Sequence, residues 1–182
     1  MRFQKKLYSL AIIGLLAAVP GFAKRAPAAV DPVALEKNIG HALQTLAWYG
    51  VFDDLSYRVD AAGNVTLAGQ VARPVVSRDA VAAVKNVPGV RSVDNQVEVL
   101  PLSPFDDSIR LRAYYAIFGH PALSRYAINA RSPIRILVKN GEVTLAGVVA
   151  SELDSQLIET RVRSLPFTFQ VTNKLRVEGR AG

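Results

Sequence analysis

The chain predicts an α+β fold of two tandem αββαβ domains, each a three-stranded mixed sheet covered on one face by two helices. Three observations carry this expectation: an internal repeat, the order of hydrophobic periods within each copy, and a proline-rich junction between the copies. Sliding the sequence by 78 positions aligns residues 63–99 with 141–177 without a gap, and 14 of the 37 pairs are identical. Ordinary residue frequencies would give roughly two or three. The identities include all of Val65-Thr66-Leu67-Ala68-Gly69 against Val143-Thr144-Leu145-Ala146-Gly147, together with Pro88/Pro166 and Asn95/Asn173. A fixed period of this length marks a duplicated unit.

Within the first copy, residues 32–49 predict a helix: Pro32 suits a first turn after the cap Asp31, and Leu35, Ile39, Leu43 and Leu46 recur at helical spacing. Gly50 stops it. Residues 55–60 and 64–71 predict two strands joined through Ala62-Gly63-Asn64, whose residue types accept positive backbone dihedrals. Val65, Leu67 and Gly69 then share one face. A second helix over 74–86 places Val76, Ala80, Val84 and Val87 in one stripe and ends at Pro88-Gly89. A last strand over 91–100 alternates Val93, Val97 and Val99 with polar partners, and Asn95 interrupts the inward series.

The second copy repeats the order: helix 105–118, hairpin strands 134–139 and 142–149, helix 152–164 and strand 169–178. Ser151 and Asp154 have capping-box spacing, and Leu153, Leu157, Ile158, Val162 and Leu165 are expected inward. Between Gly119 and Pro133 this copy is about nine residues longer than the first. The domains are expected over 31–100 and 105–178, joined by Pro101-Leu102-Ser103-Pro104, a stiff junction that keeps them close. Each unit of ~65 residues is small enough to gain from docking on its neighbour.

The first 23 residues have the make-up of an export signal. Arg2, Lys5 and Lys6 form a basic start, residues 7–19 an apolar stretch, and Gly21-Phe22-Ala23 a small-x-small cleavage site. Cleavage near Ala23 and a periplasmic or secreted location follow as expectations. An uncleaved anchor is the alternative, but this stretch of 13 residues falls short of the ~20 that span a bilayer. There is no cysteine, which excludes disulfides, thiolate metal sites and a lipid-modified cysteine. Without residues 1–23 the chain has 19 basic and 15 acidic side chains, a net charge of +4. Residues 24–100 are balanced at 8 and 8, whereas residues 101–182 carry 11 basic and 7 acidic. The excess belongs to the second copy.

The pattern Gly-Asn-Val-Thr-Leu-Ala-Gly-Gln-Val followed after a helix by Val-Pro-Gly-Val-Arg-Ser-Val-Asp-Asn-Gln-Val-Glu-Val, at 63–71 and 87–99, resembles the BON domain (bacterial OsmY and nodulation). Gly-Glu-Val-Thr-Leu-Ala-Gly-Val-Val and Val171-Thr-Asn173-Lys-Leu-Arg-Val177 carry the same resemblance in the second copy. It implies an αββαβ fold, an envelope location, phospholipid binding or a part in envelope integrity and stress tolerance, and no catalysis or cofactor. One departure stands out: Gly89 is replaced by Phe167, with Phe169 two residues on. Glycine accepts a left-handed turn that phenylalanine resists, so this turn is either reshaped or carries an exposed aromatic.

Catalytic chemistry finds little support in the residues. The only histidines are His41, mid-helix, and His120, before Pro121 in a loop, and neither has a matched acid pattern. Asp53-Asp54 falls in a loop, and Asp106-Asp107 in a first helical turn where acids complement the dipole. No Walker loop, dinucleotide glycine fingerprint or zinc spacing occurs, so neither an enzyme nor a metal protein is expected. Nucleic acid is not an expected partner, since part of the high isoelectric point lies in the signal.

The candidate surface is the basic, aromatic helix 105–118 with the loop after it: Arg110, Arg112, Tyr114, Tyr115, Phe118 and Arg125, with Tyr126 and Arg131 nearby. Tyrosine rings beside arginines suit the interface of an anionic phospholipid membrane. The same residues also fit plain packing, with Ile109, Ala113 and Ala116 on the sheet, the tyrosines sealing core edges and the arginines solvated. Trp48-Tyr49 at the end of the first helix has the make-up of an exposed aromatic pair, but Trp48 is rather expected to close the domain interface or core. A module that binds envelope proteins in a chaperone-like way is the alternative function, and an uncovered apolar sheet face would favour it.

Overall fold

The structure is a computed structural model, and it describes residues 31–128 and 132–179. The expected signal at 1–23 and Arg131 lie outside these residues. The first domain contains α1 (Pro32–Gln44), β1 (Asp54–Val59), β2 (Asn64–Val71), α2 (Pro74–Lys85) and β3 (Ser92–Val99). The second contains α3 (Pro104–Phe118), a 3-10 helix (Pro121–Tyr126), β4 (Ile134–Lys139), β5 (Glu142–Val149), α4 (Glu152–Arg163) and β6 (Gln170–Val177). The sheet orders are β1-β2-β3 and β4-β5-β6, with the hairpin pair antiparallel and the last pair parallel. The predicted fold class is therefore the observed one.

The residues identical between the copies turn out to hold the same positions. Val65 pairs with Val93 and Leu67 with Asn95, as Val143 does with Val171 and Leu145 with Asn173. Val65, Leu67 and Val71, like Val143, Leu145 and Val149, are buried. The glycine that ends each repeat string has a steric cause. Gly69 and Gly147 have φ of 116° and 115°, and a Cβ there would lie 2.1 Å from the Asp54 carbonyl oxygen and 1.9 Å from that of Pro133. The asparagine that interrupts the inward series is also explained: the Asn95 and Asn173 amides donate to the Ser77 and Ser155 hydroxyls at 3.1 and 2.9 Å, tying the last strand to α2 or α4.

Several expectations need correction. The helix expected over 32–49 ends at Gln44, where Thr45 caps it by donating its hydroxyl to the His41 carbonyl. Trp48 is 55% exposed, with the Arg73 guanidinium 5.3 Å above its ring, so it closes neither core nor interface. Leu153 is 76% exposed rather than inward, because it occupies the second position of α4, while Ile158 and Val162 are buried as expected. The longer loop of the second copy forms the 3-10 helix, which buries Leu123 and Tyr126 in the core.

The two domains dock through the segment that follows α1. Val51 and Phe52 pack against the second core, and the Ile136 N–H donates to the Val51 carbonyl at 2.8 Å, so the first domain satisfies an outward-facing donor on the free edge of β4. The residues of β4 that face away from its own helices are all engaged or covered. Arg135 donates to the Gly50 carbonyl and lies 4.8 Å over the Tyr49 ring, Leu137 is 6% exposed, and Lys139 pairs with Glu98 at 2.6 Å. Asp53, 1% exposed, holds this segment in shape by accepting from the Gly50 and Ala72 N–H groups.

Candidate functional site

Helix α3 presents two different sides, and five of the six expected contact residues divide between them, the sixth, Arg125, lying on the 3-10 helix. Ser103 caps it, accepting from the Asp106 N–H, and Asp106 and Asp107 occupy the first turn. Asp106, Ile109, Arg110, Ala113 and Ile117 form its buried side. The Asp106 carboxylate accepts from the Asn140 and Gly141 N–H groups at 2.9 Å each, clasping the β4–β5 turn. Arg110 works with it: 4% exposed, it donates to the Val138 carbonyl at 2.7 Å and pairs with Asp107 at 2.5 Å. Arg110 is thus no surface cation, and its spacing from Asp106 and Ala113, i−4 and i+3 on a helix, is the signal that places it inward.

Phe118 is also buried, at 8% exposure, in the second core. Tyr114 stands at the domain junction, its ring 4.8 Å from that of Phe118 and 6.4 Å from that of Phe52. Arg125 is paired with Asp154 and lies 5.1 Å over the Tyr126 ring. Burial raises the Asp154 pKa, but hydrogen bonds from Tyr126, Ser151 and Arg125 outweigh it and hold the carboxyl below its ordinary range. This network fixes the 3-10 helix to α4.

Tyr114, at 37%, and Arg125 keep part of their side chains exposed at these contacts, and α3 further exposes a stripe of Leu111, Arg112 and Tyr115, with Phe105 at the start of the helix 73% exposed. Arg112 leads to a second group of side chains, its guanidinium 5.9 Å over the ring of Phe167. Phe167 answers the alternative left open by the sequence. Its φ is 67°, in the left-handed region where Gly89 sits at 98° in the first copy. The turn is kept bond for bond: Phe169 N–H donates to the Gly141 carbonyl at 2.9 Å, as Arg91 N–H does to that of Gly63 at 2.8 Å. The fold is unchanged and the aromatic is exposed, Phe167 at 62% and Phe169 at 80%. The Phe169 ring lies across Gly141, leaving no room there for a Cβ. None of Phe105, Leu111, Phe167 and Phe169 was among the named contacts, though the first two lie on the candidate helix 105–118; the substitution at the repeat's turn was the one signal pointing to the last two.

The outer side of α1, in the equivalent place in the first domain, is different. Glu36, Lys37, Asn38, His41 and Gln44 are exposed there, and Val33 is its one large exposed apolar side chain. The sheet faces turned away from the helices carry mostly polar side chains, among them Arg58, Gln70, Asp94 and Gln96 in the first domain and Thr144, Lys174 and Arg176 in the second. No helix among the described residues is long and apolar enough to cross a membrane.

Comparison with known proteins agrees with the duplication. The family model described as BON domain matches residues 40–101 and 122–179, about two thirds of the chain. No curated protein matches. Among solved structures, the C-terminal domain of CdsD, the structural protein of the type III secretion system of Chlamydia trachomatis, is similar at 14% identity over 81% of this chain and 99% of that one, with a TM-score of 0.30. A further CdsD structure is similar at 15% identity over 80% and 94%, with a TM-score of 0.29. A likeness of that size supports no reading of function. The family model and the repeat register carry the assignment: this chain belongs to the BON domain family, with two copies of the domain in tandem.

Proposed function

We propose that this is a non-enzymatic envelope protein, exported to the periplasm, that binds anionic phospholipid through its second domain and so supports envelope integrity or stress tolerance. The observation that carries this reading is the exposed stripe Leu111, Arg112 and Tyr115 on α3, which has no counterpart on α1. An amphipathic helix normally spends its apolar residues on the core. Here the core is supplied by Ile109, Ala113 and Ile117, so the outer apolar and aromatic groups are surplus to folding. Arginine among such groups matches a bilayer interface, where rings sit at headgroup level and each cation contributes about 1 kcal/mol on an anionic surface. The basic excess of residues 101–182 favours the same membranes.

The alternative of a chaperone-like protein-binding module would be favoured by an open apolar sheet, and these open sheet faces are mostly polar. Co-sedimentation of the signal-free chain with vesicles tests the lipid reading. Binding to phosphatidylglycerol should exceed binding to phosphatidylcholine at low salt and weaken with added salt. Arg112→Glu with Tyr115→Ala should reduce it about tenfold or more, a loss of charge attraction plus ring burial. Absence of binding at low salt would remove the proposal. Arg110→Glu is unsuitable, since it would break the Val138 and Asp107 contacts inside the fold.

A further inference from the structure

We infer that the α4–β6 turn is a membrane wedge: Phe167 and Phe169 enter the interfacial layer of an anionic bilayer, while Arg112 and Arg163 meet lipid phosphates on either side. This rests on the lipid reading above and adds to it a site, an orientation and a division of labour between rings and cations. The second domain would meet the bilayer by the end that carries this turn, rather than only by laying α3 along the surface.

The argument begins with a backbone that disfavours its own side chain. A β-carbon is disfavoured in the left-handed region, and Phe167 occupies it at φ 67° where the first copy uses glycine. Packing does not repay this, since the ring is 62% exposed and the core is closed without it. Strain at an exposed, unpacked residue is the pattern expected where a side chain serves binding instead of folding. Phe169, without that strain, is also exposed, at 80%, and its ring is held against Gly141, so it is positioned and not free to fold away.

The surroundings decide which partner fits. Phe105 follows the cap of α3, and its neighbour Asp106 clasps the Asn140-Gly141 turn on which Phe169 lies, so the start of α3 adjoins the end of the domain that carries Phe167 and Phe169. Arg112 is stacked over Phe167, and Arg163 lines a shallow depression of about 270 Å³ with Thr168, Phe169 and Gln170. Arg163 also pairs with Glu159, which leaves most of its side chain, 64%, exposed. Apolar rings at a protruding turn, flanked by guanidinium groups that can hold phosphate oxygens, complement an interface that is apolar below and anionic at its surface. The same turn in the first domain has Gly89 and Arg91 and offers no ring.

The first copy also indicates a variant that should fold. Phe167→Gly with Phe169→Gln restores the glycine at the turn and changes no charge, so electrostatic attraction is held constant. In the full signal-free chain this double variant should bind phosphatidylglycerol vesicles about tenfold or more weakly, the loss expected from two rings that no longer leave water, with thermal stability unchanged or raised. In a Trp48→Phe background, Phe169→Trp places a single indole at the turn, and its emission should shift to the blue on binding and be quenched by brominated acyl chains. If the parent chain binds and the double variant binds equally well, or the emission of that indole does not move, the wedge is overturned while the lipid reading stands. If the parent chain binds no anionic vesicle, both fail. Should the parent be a dimer in sedimentation that the double variant converts to a monomer, the rings serve a second copy and the wedge is likewise overturned.

Discussion

Glycine and phenylalanine at matching turns place opposite demands on the chain. A non-glycine residue in the left-handed region costs roughly 1–2 kcal/mol, and Phe167 bears that cost at φ 67°. Glycine would relieve it but would lose more chain entropy on folding, about 0.5–1 kcal/mol, and would give up the stack with Arg112. Phe167→Gly should therefore leave the second domain as stable or more stable, by up to about 1 kcal/mol, as read by urea unfolding. A clear loss of stability would mean that the ring packs more tightly than its exposure indicates. Gly147 is the contrasting case. Its Cβ would collide with the Pro133 carbonyl oxygen, a backbone atom that cannot turn aside, so Gly147→Ala should cost more than about 2 kcal/mol in the same measurement.

Elements show what patterning reveals and what it hides. Strands β2, β4 and β5 were legible to the residue because alternation, turn glycines and duplication all agree on them. Three features were not. Arg110 reads as surface by residue type, yet it shares the inward stripe of Asp106, Ala113 and Ile117, and it needs both Asp107 on its own helix and a carbonyl from another element, Val138, as partners. Phe105 and Leu111 fall among apolar residues that must pack, and periodicity alone does not say which are surplus. The 3-10 helix is too short for any period; its role comes from Tyr126, whose hydroxyl accepts from the Ala150 N–H at 2.8 Å and donates to Asp154 at 2.7 Å. In the first domain the equivalent donor, the Ala72 N–H, is met by Asp53 instead. Tyr126→Phe strips both partners of one hydroxyl, which should cost about 1–3 kcal/mol and loosen residues 121–126 in amide hydrogen exchange. Unchanged protection there would show that the apolar contacts of Leu123 suffice to hold the element.

At the scale of the whole molecule the question is what makes two small domains one body. The junction has a charged part and an apolar part, and they should respond differently to pH. Lys139 and then Gln70 hold the Glu98 carboxyl below its ordinary value of 4.5, and Glu98 raises the Lys139 ammonium above 10.5. Glu98's contribution is thus present in full above pH 4.5 and is lost as pH falls through its lowered value. That of Lys139 is present below pH 10.5 and lost as pH rises through its raised one. Both side chains are nearly half exposed, at 46% and 41%, so salt screens the pair and little orientation depends on it. The larger hold comes from Phe52 against the second core, Arg135 over Tyr49, and the Val51 carbonyl on the β4 edge. Lys139→Ala should therefore leave the domains sharing one alignment tensor in residual dipolar couplings, whereas Phe52→Ala with Arg135→Ala should give two. That double variant should also self-associate at high concentration, because it bares an edge strand whose outward Ile136 N–H is otherwise bonded to Val51. A single shared tensor in the Phe52 and Arg135 variant would mean that the proline junction at 101–104 alone orients the domains, and that the loop after α1 merely rests on β4.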